Sequence, residues 1–435
     1  MKLTTSLDDL PAKSSGKQLL NVGIVGFGTV GSSVARILTE HPPAGLRLST
    51  IYNRNVERKK VDWIPPDVKW TDIFIDDILK SDVDVVVEVM GGISLAGEFV
   101  RGALRCGKSV VTANKQLIAN HGPELFELAH KHDVHLAFGA SVAGGVPVIS
   151  GLQEGLAGDE LFKLYGILNG TCNYILSQIE TRGISFDVAL SEAQKLGFAE
   201  ADPTDDVDGY DARAKLAILA RVGLRCDVHP TKIVARSISP IEAVDFDHAK
   251  QLQCTIRQVS WAQLQGDSLM AAVQPSLVGF ASPLARVAGS QNLVMSTGKF
   301  GGETVFAGHG AGGHPTAVAV VSDLVAISRA RSGMPAALAE DAKLTPNVNA
   351  DFTSRHYVRF TVKDRPGIIA SLAAIFAGCG INLDSVLQKP GYDKTHLPFV
   401  ITLEPCKASL VENAMQQIAK LDFLVKPCLH LPMLD

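Results

Sequence analysis

Residues 19–38, LLNVGIVGFGTVGSSVARIL, decide how the first part of this chain folds. The stretch begins as an apolar run suited to a fully buried strand. It turns at Gly26-Phe27-Gly28-Thr29-Val30-Gly31 and then takes up helical spacing at Val30, Val34, Ile37 and Leu38. Three glycines alone say little, but Gly-x-Gly-x-x-Gly set between a strand and a helix is the context a dinucleotide site needs. Gly26 permits the tight turn, Gly28 lets a pyrophosphate approach the backbone, and Gly31 lets helix and strand pack closely. The free amides and dipole at the helix N-terminus then favour the phosphates. The competing reading is a structural turn that binds nothing.

Moving outward, a second strand over Leu46–Tyr52 ends at Asn53-Arg54. An acidic residue here would accept bonds from the adenosine ribose, and none is present. Arg54, followed by Lys59 and Lys60, suits a 2′-phosphate instead, so NADP is expected ahead of NAD; solvated loop charges are the alternative. Further α/β units follow. A strand through DVDVVVEV (82–89) opens into Gly91-Gly92, Ser94–Cys106 reads as a helix, and Ser109–Thr112 and Val134–Phe138 read as strands. Lys115 stands just past the C-terminal end of the 109–112 strand, where ligands of parallel sheets bind. A small-residue loop, Ala140 to Pro147, lets backbone groups approach a ligand or ion, though a plain tight turn would look similar.

The whole chain has 435 residues, with 41 basic and 45 acidic side chains and a net charge of −4. That balance gives no reason to expect a nucleic-acid or membrane partner, and no apolar run reaches the roughly 18 residues of a membrane span. Residues 1–18 lack the apolar centre of a signal peptide and read as a mobile tail. Seven cysteines, with no Cys-x-x-Cys pair, fit a reduced, cytoplasmic protein without a zinc site.

The run DDVDGYDARAKLAIL (205–219) poses a separate problem. Wound as a helix from Tyr210, it puts Lys215 on one face with Ile218, Leu219 and Val222, with Asp211 one turn earlier. Arg213, Ala217 and Ala220 fall on the other side. A surface helix normally turns its lysines to water. A lysine partly withdrawn from water has a lowered pKa, which suits a proton donor, and a carboxylate one turn away would keep it charged and aimed. The plain alternative is an i,i+4 surface ion pair worth ~0.3–0.5 kcal/mol.

At this point the sequence resembles the homoserine dehydrogenase family. The resemblance rests on Asn169-Gly170-Thr171-Cys172-Asn173, on Ala193, Gly197, Asp202-Pro203, Asp206, Gly209, Asp211 and Lys215 in register, and on Gly308-His309-Gly310-Ala311-Gly312-Gly313 followed by Pro315-Thr316-Ala317. It implies interconversion of aspartate 4-semialdehyde and homoserine, in the reductive direction in the cell. By the same resemblance Lys215, Asp211 and Lys115 are catalytic. Glu200 and Asp206 receive the substrate ammonium, and Asn169, Gly170, Thr171 and Lys115 line the substrate. Phe27, Thr29, Val30, Asn53, Arg54, Gly91, Lys115 and Gly310 join the three fingerprint glycines around the cofactor. A monovalent cation, sodium, falls to the backbone carbonyls of Val142 and Gly144; many relatives carry a glutamate where this chain has Gly139. His309 and His314 read as loop residues near the cofactor. The rival is another Rossmann-type semialdehyde or amino-acid dehydrogenase with an amino-acid-sensing tail; an aspartate-semialdehyde dehydrogenase would require a cysteine nucleophile, and Cys172 is the only cysteine inside a substrate motif.

The final segment alternates in character. Tyr357–Val362 reads as a strand, Asp364-Arg365-Pro366-Gly367 as a turn, then come a helix, a second strand, a third at 397–405, a helix at 409–421 and a strand at 423–431. This βαββαβ order resembles an ACT domain, which implies an amino-acid effector, here threonine, contacted by Asn382 and Gly367; a tail that only aids dimerisation is the alternative. The expected organisation is a tail (1–18), a Rossmann-type α/β dinucleotide-binding domain (19–150 and 305–335), an α+β substrate and dimerisation domain (151–304), a linker (336–353) and an ACT domain (354–435), in a homodimer or homotetramer.

Overall fold

The computed structural model describes residues 19–331 and 351–433, apart from 267, 352 and 389; the expected tail and all but the last residues of the expected linker lie outside the described residues. The chain divides into two compact units at residues 338/339.

The first unit opens with a six-stranded parallel sheet made of β1 (Leu20–Val25), β2 (Leu46–Tyr52), β3 (Lys69–Thr71), β4 (Val85–Glu88), β5 (Ser109–Thr112) and β6 (Leu136–Ala137), in the order β3-β2-β1-β4-β5-β6. Every residue of β4 and β5 is buried, so both faces of these strands are covered and their apolar residues do not alternate with exposed polar ones. Val85 and Val87 face a core shared with the Thr29–Glu40 and Gly313–Arg331 helices, whereas Val86 and Val110 face the Ser94–Arg105 and Lys115–Lys131 helices. Both faces are therefore covered, as a doubly wound sheet requires. The return of the 313–331 helix to this sheet brings a segment from far along the chain beside β1 and its glycine turn.

A second sheet contains β7 (Leu161–Ile167), β8 (Val234–Ala235), β9 (Cys254–Gln265), β10 (Ser268–Gly279), β11 (Gln291–Gly298) and β12 (Gly302–His309), ordered β12-β11-β7-β9-β10-β8. Its pairs are antiparallel except β10 with β8. The Tyr210–Leu224 helix packs on this sheet and on the Lys115–Lys131 helix, with Leu216, Ile218 and Leu219 in a core that includes Leu164, Ala262, Val273 and Val294. The one-sided stripe expected for this helix is corrected here. Ala217 and Ala220, placed opposite Lys215 by the helical wheel, are buried as well. Neighbours on several sides, not one, exclude water from it, so burial at Lys215 is a property of the helix's position and not of a single face.

In the second unit, β13 (Thr353–Val362), β14 (Leu383–Leu387), β15 (Leu397–Lys407) and β16 (Leu429–Met433) form an antiparallel sheet ordered β14-β15-β13-β16. The Ile368–Gly378 and Ala408–Ile418 helices bury Leu372, Phe376, Val411 and Ala414 with Val358, Phe360, Phe399 and Ile401. The chain order is βαββαβ. The last strand starts later than expected: Pro427 has no N–H to give a ladder, and the expected 423–428 portion contributes only an isolated bridge, Val362 with Leu424. Likewise the Val134–Phe138 strand shortens to Leu136–Ala137, because the chain turns at Gly139–Ser141.

Candidate active site

The glycine turn has the backbone its fingerprint demands. Gly26 has φ +107°, and a Cβ there would lie 2.9 Å from the Met90 nitrogen. A Cβ on Gly31 would lie 2.0 Å from the Gly26 carbonyl oxygen, so helix and turn touch backbone to backbone. Gly28, by contrast, has nothing within 4 Å of such a Cβ. It begins a helix with no side-chain cap and no acid in its first turn, which leaves the first amides at Thr29 and Val30 available to an anion. Phe27 is buried and packs against Trp63 and Trp70. At the end of β2 the Asn53 Oδ1 accepts from the Asn55 amide at 2.9 Å. Exposed Arg54 lines a cavity of about 590 Å³ with Arg58, Trp70 and Asp72.

Glu88, a buried carboxylate that shapes the site, was not singled out from the sequence. It is fully buried at the end of β4 and accepts from the Met90 and Gly91 amides at 2.9 and 3.3 Å and from the Thr112 hydroxyl at 2.6 Å. One carboxylate thus shapes the loop holding Gly91 and ties it to β5. Its only signal was an acid closing an apolar run. From β5 the chain passes to Asn114, whose side chain caps the next helix at the Leu117 amide, 3.1 Å, and whose Nδ2 donates to the Gly92 carbonyl at 2.6 Å. Lys115 is therefore the first residue of that helix, pointing from the edge of the parallel sheet toward the second one.

Asp211 receives it. The carboxylate accepts from Lys115 Nζ at Oδ1, 3.0 Å, and from Lys215 Nζ at Oδ2, 2.8 Å. Asn169 Nδ2 donates to the same Oδ2 at 2.9 Å and to Asp206 Oδ1 at 2.6 Å. Lys215 also donates to the Leu168 carbonyl at 2.8 Å and is 13% exposed, against 37% for Lys115. Burial alone would push the Asp211 carboxyl up, but the two ammonium groups and Asn169 overcome it and hold it well below the ordinary carboxylate range. Asp211 in turn pushes the Lys115 ammonium up against the opposing effect of burial. Asp206 moves the other way from Asp211: burial raises its carboxyl, partly offset by Asn169. The cluster is thus two ammonium groups bridged by one fixed anion, with a second carboxyl beside it.

Other expected residues are placed differently. Glu200 is exposed, and no side-chain contact joins it to this cluster among the described residues. The Thr171 hydroxyl donates to the Phe198 carbonyl at 2.7 Å, and a Cβ at Gly170 would lie 2.7 Å from the Ser290 carbonyl oxygen. Of that turn, among the described residues, Asn169 is the one whose side chain bonds to the Asp211 and Asp206 carboxylates. Cys172 is fully buried with its thiol pushed well up by desolvation, the opposite of a nucleophile's requirement. His309 and His314 are exposed, and no metal-holding group of histidine, cysteine or acidic residues is found among the described residues. Val142 and Gly144 are buried, and no hydrogen bond to either carbonyl oxygen is found among the described residues. The Gly139 amide donates to Asp323 at 2.8 Å, and burial pushes that carboxyl up to about 7. In the second unit, Gly367 (φ +91°) lines a cavity of about 290 Å³ with Asp364, Arg365, Gln388 and Phe399. Asn382 is not part of it and pairs with Glu404 at 3.1 Å.

The segment Gly310–Gly313 links the two halves of the site. A Cβ at Gly313 would lie 3.0 Å from the Thr29 carbonyl oxygen, and one at Gly310 would overlap Asn292 on β11. The glycine turn, this segment and the lysine cluster are consequently contiguous.

Comparison with known proteins agrees with this geometry. Residues 26–139 match the family described as homoserine dehydrogenase, NAD binding domain; residues 147–325 match homoserine dehydrogenase; residues 356–423 match the ACT domain. The chain is 37% identical to a homoserine dehydrogenase of Bacillus subtilis, covering 88% of this chain and 91% of that protein. It is 37% identical to one of Corynebacterium glutamicum, covering 95% and 97%. A solved homoserine dehydrogenase from Thiobacillus denitrificans superposes with a TM-score of 0.69 at 32% identity, over 96% of this chain and 98% of that one. A hyperthermophilic archaeal homoserine dehydrogenase solved in complex with NADPH gives 0.61 at 27% identity, over 73% and 98%.

Proposed function

Since the chain belongs to the homoserine dehydrogenase family and is an NAD(P)-dependent oxidoreductase interconverting aspartate 4-semialdehyde and homoserine, we propose that Lys215, Asp211 and Lys115 handle proton and charge in that reaction. The nicotinamide, when bound, supplies or accepts the hydride. Reduction of the aldehyde leaves negative charge on its oxygen, which needs a proton and a nearby cation. Lys215 has three N–H bonds. One points to Leu168 and one to Asp211, so the third is available to the substrate oxygen. Lys215 gives that proton and regains one from solvent, while Lys115, paired with Asp211 at a single oxygen, places a second positive charge beside the reacting oxygen. Asp206, and Glu200 if its exposed side chain swings in, receives the substrate ammonium. The observation that carries this reading is the single buried carboxylate shared between two lysines from different layers of the fold.

Finer properties follow in the same reading. Arg54, with Lys59 and Lys60, favours NADP. The buried carbonyls of Val142 and Gly144, to which no donor is found among the described residues, suit a monovalent cation. Threonine is the effector at the Gly367 cavity. Leu277 and Val305 are exposed on the second sheet and suit a homodimer or homotetramer. Seven free thiols suit the cytoplasm, and among the described residues no helix is long and apolar enough to cross a membrane. The test is steady-state oxidation of NADPH by aspartate 4-semialdehyde, repeated with NADH. Faster turnover at low cofactor with NADPH is expected; equal or better use of NADH removes the NADP assignment.

A further inference from the structure

Asn292, on β11 and 2% exposed, has no role in the mechanism so far. Its Nδ2 donates to the Leu168 carbonyl oxygen at 3.0 Å, the oxygen that Lys215 Nζ reaches at 2.8 Å. Two donors fill the two lone pairs of that oxygen, and no other donor to it is found among the described residues. On its other side the Asn292 amide presses on Gly310: a Cβ there would lie 2.0, 2.1 and 2.4 Å from its Cγ, Oδ1 and Nδ2. Gly310 leads to Gly313, which lies against the first turn of the helix that follows the glycine fingerprint.

We propose that Asn292 is a positioning residue that fixes the direction of the free Lys215 N–H by holding the Leu168 carbonyl, with Gly310 clamping the Asn292 amide in place. The proposal rests on Lys215 being the proton donor. An ammonium is tetrahedral, so its two anchored N–H bonds determine where the third points. The Asp211 anchor is held by Asn169 and Lys115. The Leu168 anchor is held by Asn292. Without that amide the Leu168 peptide can rock, and the third N–H sweeps away from the substrate oxygen. Misplacements of this kind near a reacting group cost up to ~100-fold. The same contacts make the alignment sensitive to the Gly310 segment, and so to whatever seats against it.

The test uses the full chain and five variants. Asn292→Leu keeps bulk against Gly310 and removes the donor. It is expected to lower kcat by ~10- to 100-fold, with KM and the NADPH dissociation constant within about twofold. The solvent isotope effect on kcat should grow, because proton transfer becomes limiting; a purely structural defect does not produce that increase. Gly310→Ala drives a methyl group into the amide and should reproduce the loss. The double variant Asn292→Ala with Gly310→Ala should be no slower than Asn292→Ala alone, since the methyl enters vacated space. Normal kcat in Asn292→Leu, or fully additive losses in the cycle, overturns the positioning role. Lys215→Ala run in parallel separates the two levels: if that variant keeps full kcat, the underlying assignment of Lys215 has failed instead.

Discussion

Replacing Asp211 by asparagine removes the anion between two ammonium groups while keeping shape and one acceptor oxygen. The two halves of the contact differ in worth. Lys215 and Asp211 are 13% and 9% exposed, so breaking this pair leaves a nearly dry cation uncompensated, at ~3–5 kcal/mol. The Lys115 side chain is 37% exposed, and solvent screening holds its share to ~0–1 kcal/mol. The asparagine oxygen returns part of the loss, so a net destabilisation of ~2–4 kcal/mol at neutral pH is expected. The sign with pH follows from the carboxyl being held low in the folded protein. A group whose folded pKa is depressed contributes stability above its unfolded value, about 3.9, and loses it as pH falls toward the folded one. Urea unfolding of wild type and Asp211→Asn should therefore differ by a constant amount between about pH 6 and 8, narrowing below about pH 4. In the same samples kcat should drop by at least ~100-fold, because the lysines now repel each other and neither is aimed. A gap under ~1 kcal/mol at pH 7, or one that widens in acid, refutes the idea that this carboxylate is a charged bridge.

Other substitutions probe separate parts of the account. Asp323→Asn removes a carboxyl that burial pushes up to about 7. The folded protein holds this proton more tightly than the unfolded chain, so wild-type stability falls from about pH 4 to 7 and is then level. The variant should be more stable by ~2–4 kcal/mol at pH 8 and similar at pH 4, a difference read by thermal or urea melts. Arg54→Asp should lower kcat/KM for NADPH by ~10-fold or more and improve NADH, about the loss of one charge-assisted phosphate contact; undiminished NADPH use means another group holds the phosphate. Threonine should inhibit the full chain, and Gly367→Val, which forces a branched residue to φ +91°, should weaken that inhibition; unaltered inhibition places the effector elsewhere.

What the sequence disclosed depended on whether a feature was local. Leu46–Tyr52 and Ser109–Thr112 were legible because their apolar and β-branched residues sit between clear stops. The glycine turn was legible because its three glycines and the helix they open lie within one short segment, with Gly31 packed directly on the Gly26 carbonyl. Lys215 was found through a local oddity and a family resemblance; Ile218 and Leu219 beside it are buried as expected, but so are Ala217 and Ala220, since neighbours close in on several sides of that helix. Glu88, Asn292 and Asp323 were not legible. Nothing local marks the role of any of them, and the meaning of each depends on a partner elsewhere along the chain: Thr112 for Glu88, Leu168 for Asn292, and Gly139, 184 positions away, for Asp323. Glu200, which the family resemblance nominates for the substrate ammonium, is exposed.

The proton assigned to Lys215 can be followed in a single turnover. Enzyme loaded with NADPH is mixed with aspartate 4-semialdehyde, and the loss of cofactor absorbance is timed for wild type and Lys215→Ala, with and without added methylamine. A rate lowered by at least ~100-fold, NADPH affinity unchanged, and partial recovery with the amine are expected. A variant that consumes bound NADPH as fast as wild type contradicts it.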